Sequence, residues 1–219
     1  MLNTLPRLLH APAGAWLDIR KRADRHPWGF APVLLGLALL PAICTYIGAV
    51  KVGWSFFGEN DVRYLDPRSG FNLALMCYLA FLCGVLVMAV LTRWVLYRTA
   101  SRPTLPESLT FNTVVAVPLM LGGLAALHPE RWLLLIVAVL TSGASTFLLF
   151  VGVPVFMRMT RRESLFYTAC LLAFGFLALL TTAFMFLEFW LETFMTSEYR
   201  TEPALPLDDS MTPSQENAP

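Results

Sequence analysis

The sequence predicts an all-α, polytopic membrane protein: a bundle of five transmembrane helices with the N-terminus in the cytoplasm and the C-terminus outside. Three observations predict this class. Of 219 residues, 57% are hydrophobic and only 14% are charged, which is not the composition of a soluble domain. Five uncharged runs each approach or exceed the roughly 20 residues that cross the hydrocarbon layer. The basic residues favour alternate connecting segments, while a net charge of +1 gives no overall basic field for nucleic acid.

Residues 1–29 are expected to form a cytoplasmic N-terminal segment. Apolar and charged side chains alternate within it, the apolar ones being Trp16, Leu17, Ile19 and Ala23. This alternation is typical of a short basic helix lying on an anionic leaflet. The alternative interpretation is an ordinary positively charged topological anchor. The start of the segment lacks the continuous apolar stretch of a signal peptide, so the first span is expected to serve as the insertion signal.

The five uncharged runs define a predicted membrane domain over residues 30–195. They cover residues 30–50, 70–92, 108–127, 132–157 and 164–187. None of the five contains Asp, Glu, Lys, Arg or His. Since lipid offers the backbone no water to bond, each run is predicted to be helical.

The basic residues orient the predicted bundle. One side of the membrane receives 11 of them, namely Arg7, Arg20, Lys21, Arg22, Arg25, Arg93, Arg98, Arg102, Arg158, Arg161 and Arg162. The other side receives 5, namely Lys51, Arg63, Arg68, Arg131 and Arg200. Short cytoplasmic loops carry the excess of Lys and Arg, so the N-terminus is predicted to be cytoplasmic. Residues 196–219, rich in Pro, Ser, Thr and acidic residues, are predicted to be a disordered tail on the outer side.

The sequence contains no pattern that predicts catalysis. Carboxylates and histidines are missing from the five runs, which argues against an ion-coupled transporter. Gly-x-Ser-x-Gly, His-Glu-x-x-His and paired intramembrane aspartates are also missing. The four cysteines lie in apolar runs without a Cys-x-x-Cys pair. Glu188 and Glu192 are interpreted as a solvated helix end. We therefore expect no enzyme, no cofactor and no metal site.

The fourth run carries small and hydroxylated residues on one helix face: Ala138, Ser142, Ser145 and Thr146 recur at spacings of three and four. Such a face lets helices approach closely and form hydrogen bonds across the contact. The alternative interpretation is a polar path for a small solute, gated at a proline. These two interpretations predict different functions for the same residues.

Three prolines within the runs are expected to bend their helices, because proline removes a backbone donor and clashes with the preceding turn. Each bend serves either as a fixed packing feature or as the hinge of a gate. Asn112 is expected to bond a neighbouring helix, at a gain of roughly 0.6 to 2 kcal/mol. The candidate helix-packing or kink positions are Pro41, Gly48, Gly53, Trp54, Asn112, Pro118, Ser142, Ser145, Gly152 and Pro154.

Several motifs with Pro, Gly and Trp are scattered along the chain. They are Leu-Pro-Ala-Ile-Cys-Thr-Tyr-Ile-Gly at 40–48, Val-Gly-Trp-Ser-Phe at 52–56, Gly-Leu-Ala-Ala-Leu-His-Pro at 123–129 with Trp132-Leu133, and Gly-Val-Pro at 152–154 before Arg162-Glu163. These motifs resemble the bacterial inner-membrane proteins of the Yip family, named for Ypt/Rab-interacting protein. The resemblance extends from about Trp16 to Trp190 and implies five spans with the same spacing along the chain.

The resemblance also implies where to look for function. Eukaryotic relatives act in vesicle traffic and membrane shaping through Rab GTPases and partner proteins. Their acidic Asp-Leu-Tyr-Gly-Pro motif is absent, and Arg-His-Pro-Trp-Gly stands near its place at 25–29, so we do not expect a Rab GTPase partner. The leading hypothesis is a non-enzymatic multi-pass inner-membrane protein of the Yip-domain type. It would act through helix-helix contacts, membrane-protein partners or a second copy, in membrane organisation or homeostasis. The alternative is a small-solute channel or carrier along the fourth-run hydroxyl face.

Overall fold

The computed structural model describes residues 12–53, 64–99, 101–128 and 130–196, and these residues form a helical bundle. The helices are α1 (Pro12–Arg25), α2 (Ala31–Ile47), α3 (Pro67–Leu96), α4 (Leu105–Gly122), α5 (Arg131–Phe156) and α6 (Arg161–Thr196). A π-helical turn, Gly48–Val52, prolongs α2, and a 3₁₀ segment, Gly123–Leu127, prolongs α4. Trp54 and the predicted tail from residue 197 onward lie outside the described residues.

Five of these helical segments are long and apolar enough to cross a membrane. They are Ala31–Val52, Pro67–Leu96, Leu105–Leu127, Arg131–Phe156 and Arg162–Met185. The all-α, polytopic five-helix class is therefore confirmed. Among the described residues no β-strand is formed, as expected where a strand would leave unpaired backbone groups in lipid.

Local sequence chemistry sets the starts of two spans. At α3, the Asp66 carboxylate accepts a hydrogen bond from the Arg68 backbone N–H at 3.2 Å, and Pro67 occupies the first helical position. At α4, the Glu107 carboxylate accepts from the Thr104 backbone N–H at 2.9 Å. Both arrangements satisfy backbone donors that the helix itself leaves free.

The α4 helix is the centre of the bundle, since it packs against α1, α2, α3 and α5. Half of the most apolar stretch of its span (50%) is buried inside the protein, whereas only 11% of the corresponding stretch of α6 is buried. The outer faces of α5 and α6 expose large apolar side chains such as Leu140, Phe166, Leu177 and Phe184. An exposed apolar face on a membrane span is solvated by lipid rather than water.

The bundle has two ends, which we name by their contents. The α1 end holds α1, the starts of α4 and α6, and the last turns of α3 and α5. A core of buried apolar residues lies there, including Trp16, Leu96, Phe111, Phe156 and Leu171. The opposite end holds the Gly48–Val52 turn and the Gly123–Leu127 segment. This up-and-down arrangement follows from five consecutive spans.

Candidate functional site

The apolar face of α1 lies on the bundle and not in lipid. The buried side chains on this face are Ala15, Trp16, Ile19 and Ala23, each no more than 3% exposed. They belong to the same core as residues of α3, α4, α5 and α6. The charged face of α1, with Lys21 and Arg25, is exposed. The alternation seen in the sequence therefore separates a protein-facing side from a solvent- and headgroup-facing side.

Trp16 anchors this contact through an aromatic cluster. Its ring centroid lies 5.1 Å from that of Phe111 and 5.8 Å, edge-on, from that of Phe156. Gly152 provides the space, because a β-carbon there would come 2.7 Å from Trp16 and 2.8 Å from Phe111. All three rings are fully buried. The candidate Gly152 thus lies where α1, α4 and α5 approach most closely.

Arg20 joins the same three helices through its guanidinium group. It donates to Glu107 Oε1 at 2.7 Å, to Asp24 Oδ1 at 3.0 Å and to the Phe156 carbonyl oxygen at 3.2 Å. Its Cζ lies 5.1 Å from the centroid of the Phe156 ring. The Arg20 and Glu107 side chains are only 15% and 19% exposed, so solvent screens this ion pair less than a surface pair. One side chain thus binds both the Phe156 carbonyl oxygen at the end of α5 and Glu107 in the first turn of α4.

Asn112 forms hydrogen bonds both to a neighbouring helix and to its own helix. Its Nδ2 donates to Thr92 Oγ1 of α3 at 2.9 Å and to the Ser108 carbonyl oxygen at 2.8 Å. Thr92 in turn donates to the Met88 carbonyl oxygen at 2.7 Å. Both Asn112 and Thr92 are buried. This chain of bonds links α3 to α4 below the α1 end.

Two motifs of the Yip resemblance meet at the opposite end. A β-carbon at Gly123 would lie 2.7 Å from Pro41 Cα, and one at Gly48 would overlap the Ala126 carbonyl oxygen. The α2 backbone and the 3₁₀ segment are therefore in direct contact. Gly53 follows the π-helical turn with φ 81°, a value that glycine adopts without strain. Its N–H donates to the Gly48 carbonyl oxygen at 2.9 Å.

The fourth-span hydroxyl face is covered only in part, since Ala138 is exposed and Thr146 is half-buried. A β-carbon at Gly122 of α4 would come 2.8 Å from Thr141 Cγ2. Ser145 is 7% exposed and Ser142 is half-buried. Pro118 of α4 and Pro154 of α5 are also half-buried within continuous helices. Among the candidate positions, Pro118 thus lies on α4, and Ser142, Ser145, Gly152 and Pro154 lie on α5.

Three buried polar atoms have no hydrogen-bond partner among the described residues. They are Trp16 Nε1, Ser108 Oγ and Ser145 Oγ. Each belongs to α4 or to a helix packed on it. Groups of three or more His, Cys, Asp or Glu side chains in metal-binding proximity do not occur in the described part of the chain.

Sequence reasoning missed Arg20, Glu107, Phe111 and Phe156 as members of the α1 contact. One local signal was present, namely Thr104 three residues before Glu107, which marks a helix start. That signal does not show that Glu107 has a second partner in α1. The contact requires residues far apart in the chain, which hydropathy does not pair.

Comparisons with known proteins identify relatives of this chain. The Yip1 domain family matches residues 7–182. Inner membrane protein YohC of Escherichia coli strain K12 is 35% identical over 146 residues, which cover 67% of this chain and 74% of that protein. The YohC protein of Escherichia coli O6:H1 strain CFT073 gives the same identity and coverage. No solved structure gives a significant match.

Proposed function

This chain belongs to the Yip1 domain family, and on that premise we propose that it is a non-enzymatic protein acting through contacts between helices or with membrane-protein partners, in membrane organisation or homeostasis. It is a multi-pass inner-membrane protein, in agreement with its relative in Escherichia coli. The proposal concerns how such a protein works, since neither five spans nor family membership assigns a reaction.

The observation that carries the proposal is the role of the motif residues in the fold. Pro41 packs on Gly123, Gly48 packs on Ala126, and Gly152 packs on Trp16. Small residues at these points allow backbones and rings to approach closely, which is how helices associate in lipid. Residues that resemble the family pattern thus form packing contacts rather than a reactive group. This favours a function in which the bundle is a shaped scaffold.

The charge distribution supports the same proposal. Cysteine and tyrosine are the only ionisable residue types within the spans, counted over residues 31–50, 69–92, 108–127, 132–156 and 164–187. Proton relays and coupled ion sites use intramembrane carboxylates or histidines. With the predicted orientation, the α1 end and its exposed cations, such as Lys21 and Arg158, would face the cytoplasm. That end would then meet anionic headgroups and cytoplasmic partners.

The alternative of a solute path along the fourth-span hydroxyl face finds less support in the contacts. Thr141 lies against Gly122 and donates its hydroxyl to the Val137 carbonyl oxygen at 2.8 Å. Ser145 is buried between the helices. The contact at Thr141 and the burial of Ser145 interrupt the polar surface that a solute would follow along this face. We therefore retain packing as the role of this face.

Photocrosslinking in native membranes tests the proposed function. A photoreactive amino acid replaces Phe176 or Leu180, on the lipid-exposed face of α6, or Leu17 on the exposed side of α1. After irradiation, adducts are separated and identified by mass spectrometry. Reproducible adducts with one membrane protein, or with a second copy of the chain, are expected at one of these positions. Substitution of the buried Leu171 provides a matched internal control that should give no intermolecular adduct.

A transport assay could contradict the scaffold proposal. The purified protein is reconstituted into liposomes and screened for flux of ions and small polar solutes. Saturable flux that Ser142→Ala and Ser145→Ala both abolish would overturn the scaffold proposal in favour of the solute path. Adducts with lipid alone at all three exposed positions would also count against a partner-binding role.

A further inference from the structure

The α4–α5 interface contains a buried hydroxyl group, that of Ser145, at the level of Pro118, a residue with no N–H to give to the preceding turn. Two close contacts fix the alignment of these antiparallel helices: Gly122 against Thr141, and Phe111 against Gly152. Four residues beyond Thr141 lies Ser145, and four residues before Gly122 lies Pro118. Seven-residue steps from the other contact reach the same two positions. Ser145 and Pro118 therefore face each other at one level of the bundle.

Pro118 creates an unpaired acceptor at this level. Proline has no N–H, so the Val114 carbonyl oxygen, one turn earlier in α4, receives no bond from residue 118. Val114 is 4% exposed and belongs to the buried core. In a membrane the freed carbonyl is satisfied by neighbouring helices, hydroxyl side chains or ordered water. The facing residue that has a hydroxyl is Ser145.

Ser145 differs from the threonines of the same two helices. Thr110, Thr113 and Thr141 each donate to the carbonyl oxygen four residues earlier, at 2.7 to 2.9 Å. Ser145 Oγ is buried and has no partner among the described residues. A hydroxyl left unbonded in an apolar interior costs free energy. This orphaned donor points to a ligand at the interface.

We propose that one water molecule binds between Ser145 and Val114. It accepts the hydrogen of Ser145 Oγ and donates one of its own to the Val114 carbonyl oxygen. Two polar partners are the minimum for a buried water. The site needs no charged group, which agrees with the uncharged interior of both spans. It also assigns Ser145 and Pro118 to one structural feature, independently of the proposed function.

A double-mutant cycle between Ser145→Ala and Pro118→Ala tests this site by thermal unfolding of the purified protein in detergent. In the wild-type background, Ser145→Ala should lower Tm by about 2 to 4 °C. In the Pro118→Ala background, the new N–H of residue 118 bonds the Val114 carbonyl oxygen. The water then loses its second partner, so Ser145→Ala should cause no further loss. Additive effects of the two substitutions would overturn the proposal.

A matched control and a direct observation complete the test. Ser142→Ala changes a half-buried hydroxyl on the same helix, and its effect should add to that of Pro118→Ala. An experimental map that shows ordered water should place a peak about 2.7 to 3.0 Å from both Ser145 Oγ and the Val114 carbonyl oxygen. A direct bond from Ser145 Oγ to a carbonyl oxygen, with no peak between them, would also overturn the proposal. Neither result bears on partner binding, so the proposed function is tested separately.

Discussion

The Trp16 ring lies so close to Gly152 that a β-carbon on residue 152 would come 2.7 Å from two ring atoms. This contact helps to attach α1 to the end of α5, and the neighbouring rings of Phe111 and Phe156 enclose it. Because Trp16 is fully buried, α1 is part of the folded bundle. The N-terminal helix therefore contributes to the stability of the bundle.

Gly152→Ala is expected to destabilise the protein by about 1 to 3 kcal/mol, since the added methyl group overpacks a rigid aromatic cluster. Equilibrium unfolding in mixed micelles measures the change. Gly143→Ala is the control on the same helix, because a β-carbon there meets nothing within 4 Å. Equal effects of the two substitutions would contradict the close contact.

The five spans were predictable because hydropathy is a local property. Each uncharged run must be helical in lipid, whatever it packs against. The docking of α1 was not predictable, since Trp16, Ile19 and Ala23 give the same periodic pattern whether they face lipid or protein. Only the partner surface at Gly152 and Phe111 decides between these, and that surface lies in distant parts of the chain.

Gly48→Ala is expected to cost more than Gly152→Ala. The added β-carbon overlaps the Ala126 carbonyl oxygen, and backbone cannot move aside as a side chain can. We expect loss of the folded bundle or a drop of at least about 3 kcal/mol in stability. A β-carbon at Gly36 on the same helix meets open space, so Gly36→Ala should leave the stability of the protein unchanged. Normal stability of the Gly48→Ala protein would disprove the contact between the two motifs.

Glu107→Gln is expected to lower stability by about 1.5 to 3 kcal/mol, the range for a hydrogen bond to a charged group. Arg20→Gln should cost at least as much, because Arg20 also bonds Asp24 and the Phe156 carbonyl oxygen. Unfolding of the two single variants and the double variant measures their coupling, which should be at least about 0.5 kcal/mol. Arg158→Gln serves as the control, since its side chain is 73% exposed and should change stability by less than about 0.5 kcal/mol. Additive losses would show that Arg20 and Glu107 act independently.

The candidate packing positions differ in how much the sequence revealed. Asn112 was recognisable because a lone amide in an apolar run has few ways to satisfy its donors except by bonding backbone or another helix. Its partner Thr92 was not recognisable, because threonine is common in spans and usually bonds its own helix. Gly48 and Gly152 were singled out by motif, and in the structure both have close neighbours, whereas a β-carbon at Gly36 or Gly143, which were not candidates, meets nothing within 4 Å.

Asn112→Ala is expected to cost about 0.6 to 2 kcal/mol through loss of the bond to Thr92. Thr92→Val, which keeps the side-chain shape and removes the acceptor, should cost a similar amount. The double variant should lose less than the sum of the two, because each single substitution breaks the same bond. Thr113→Val is a suitable control, since Thr113 bonds only the Leu109 carbonyl oxygen of its own helix among the described contacts. A coupling no larger than that of the control with Asn112→Ala would contradict the interhelical bond.

The orientation of the bundle is tested by reporters fused after the second span and after the last span. The 11-to-5 bias of basic residues predicts a cytoplasmic N-terminus, and five spans then carry the chain to the outer side. A fluorescent protein that matures only in the cytoplasm should be dark when fused after Met195 and bright when fused after Arg98. A periplasm-active phosphatase should show the reverse pattern at the same two positions. Fluorescence after Met195 would place that end in the cytoplasm and invert the orientation, so that the exposed cations of the α1 end would meet the outer leaflet.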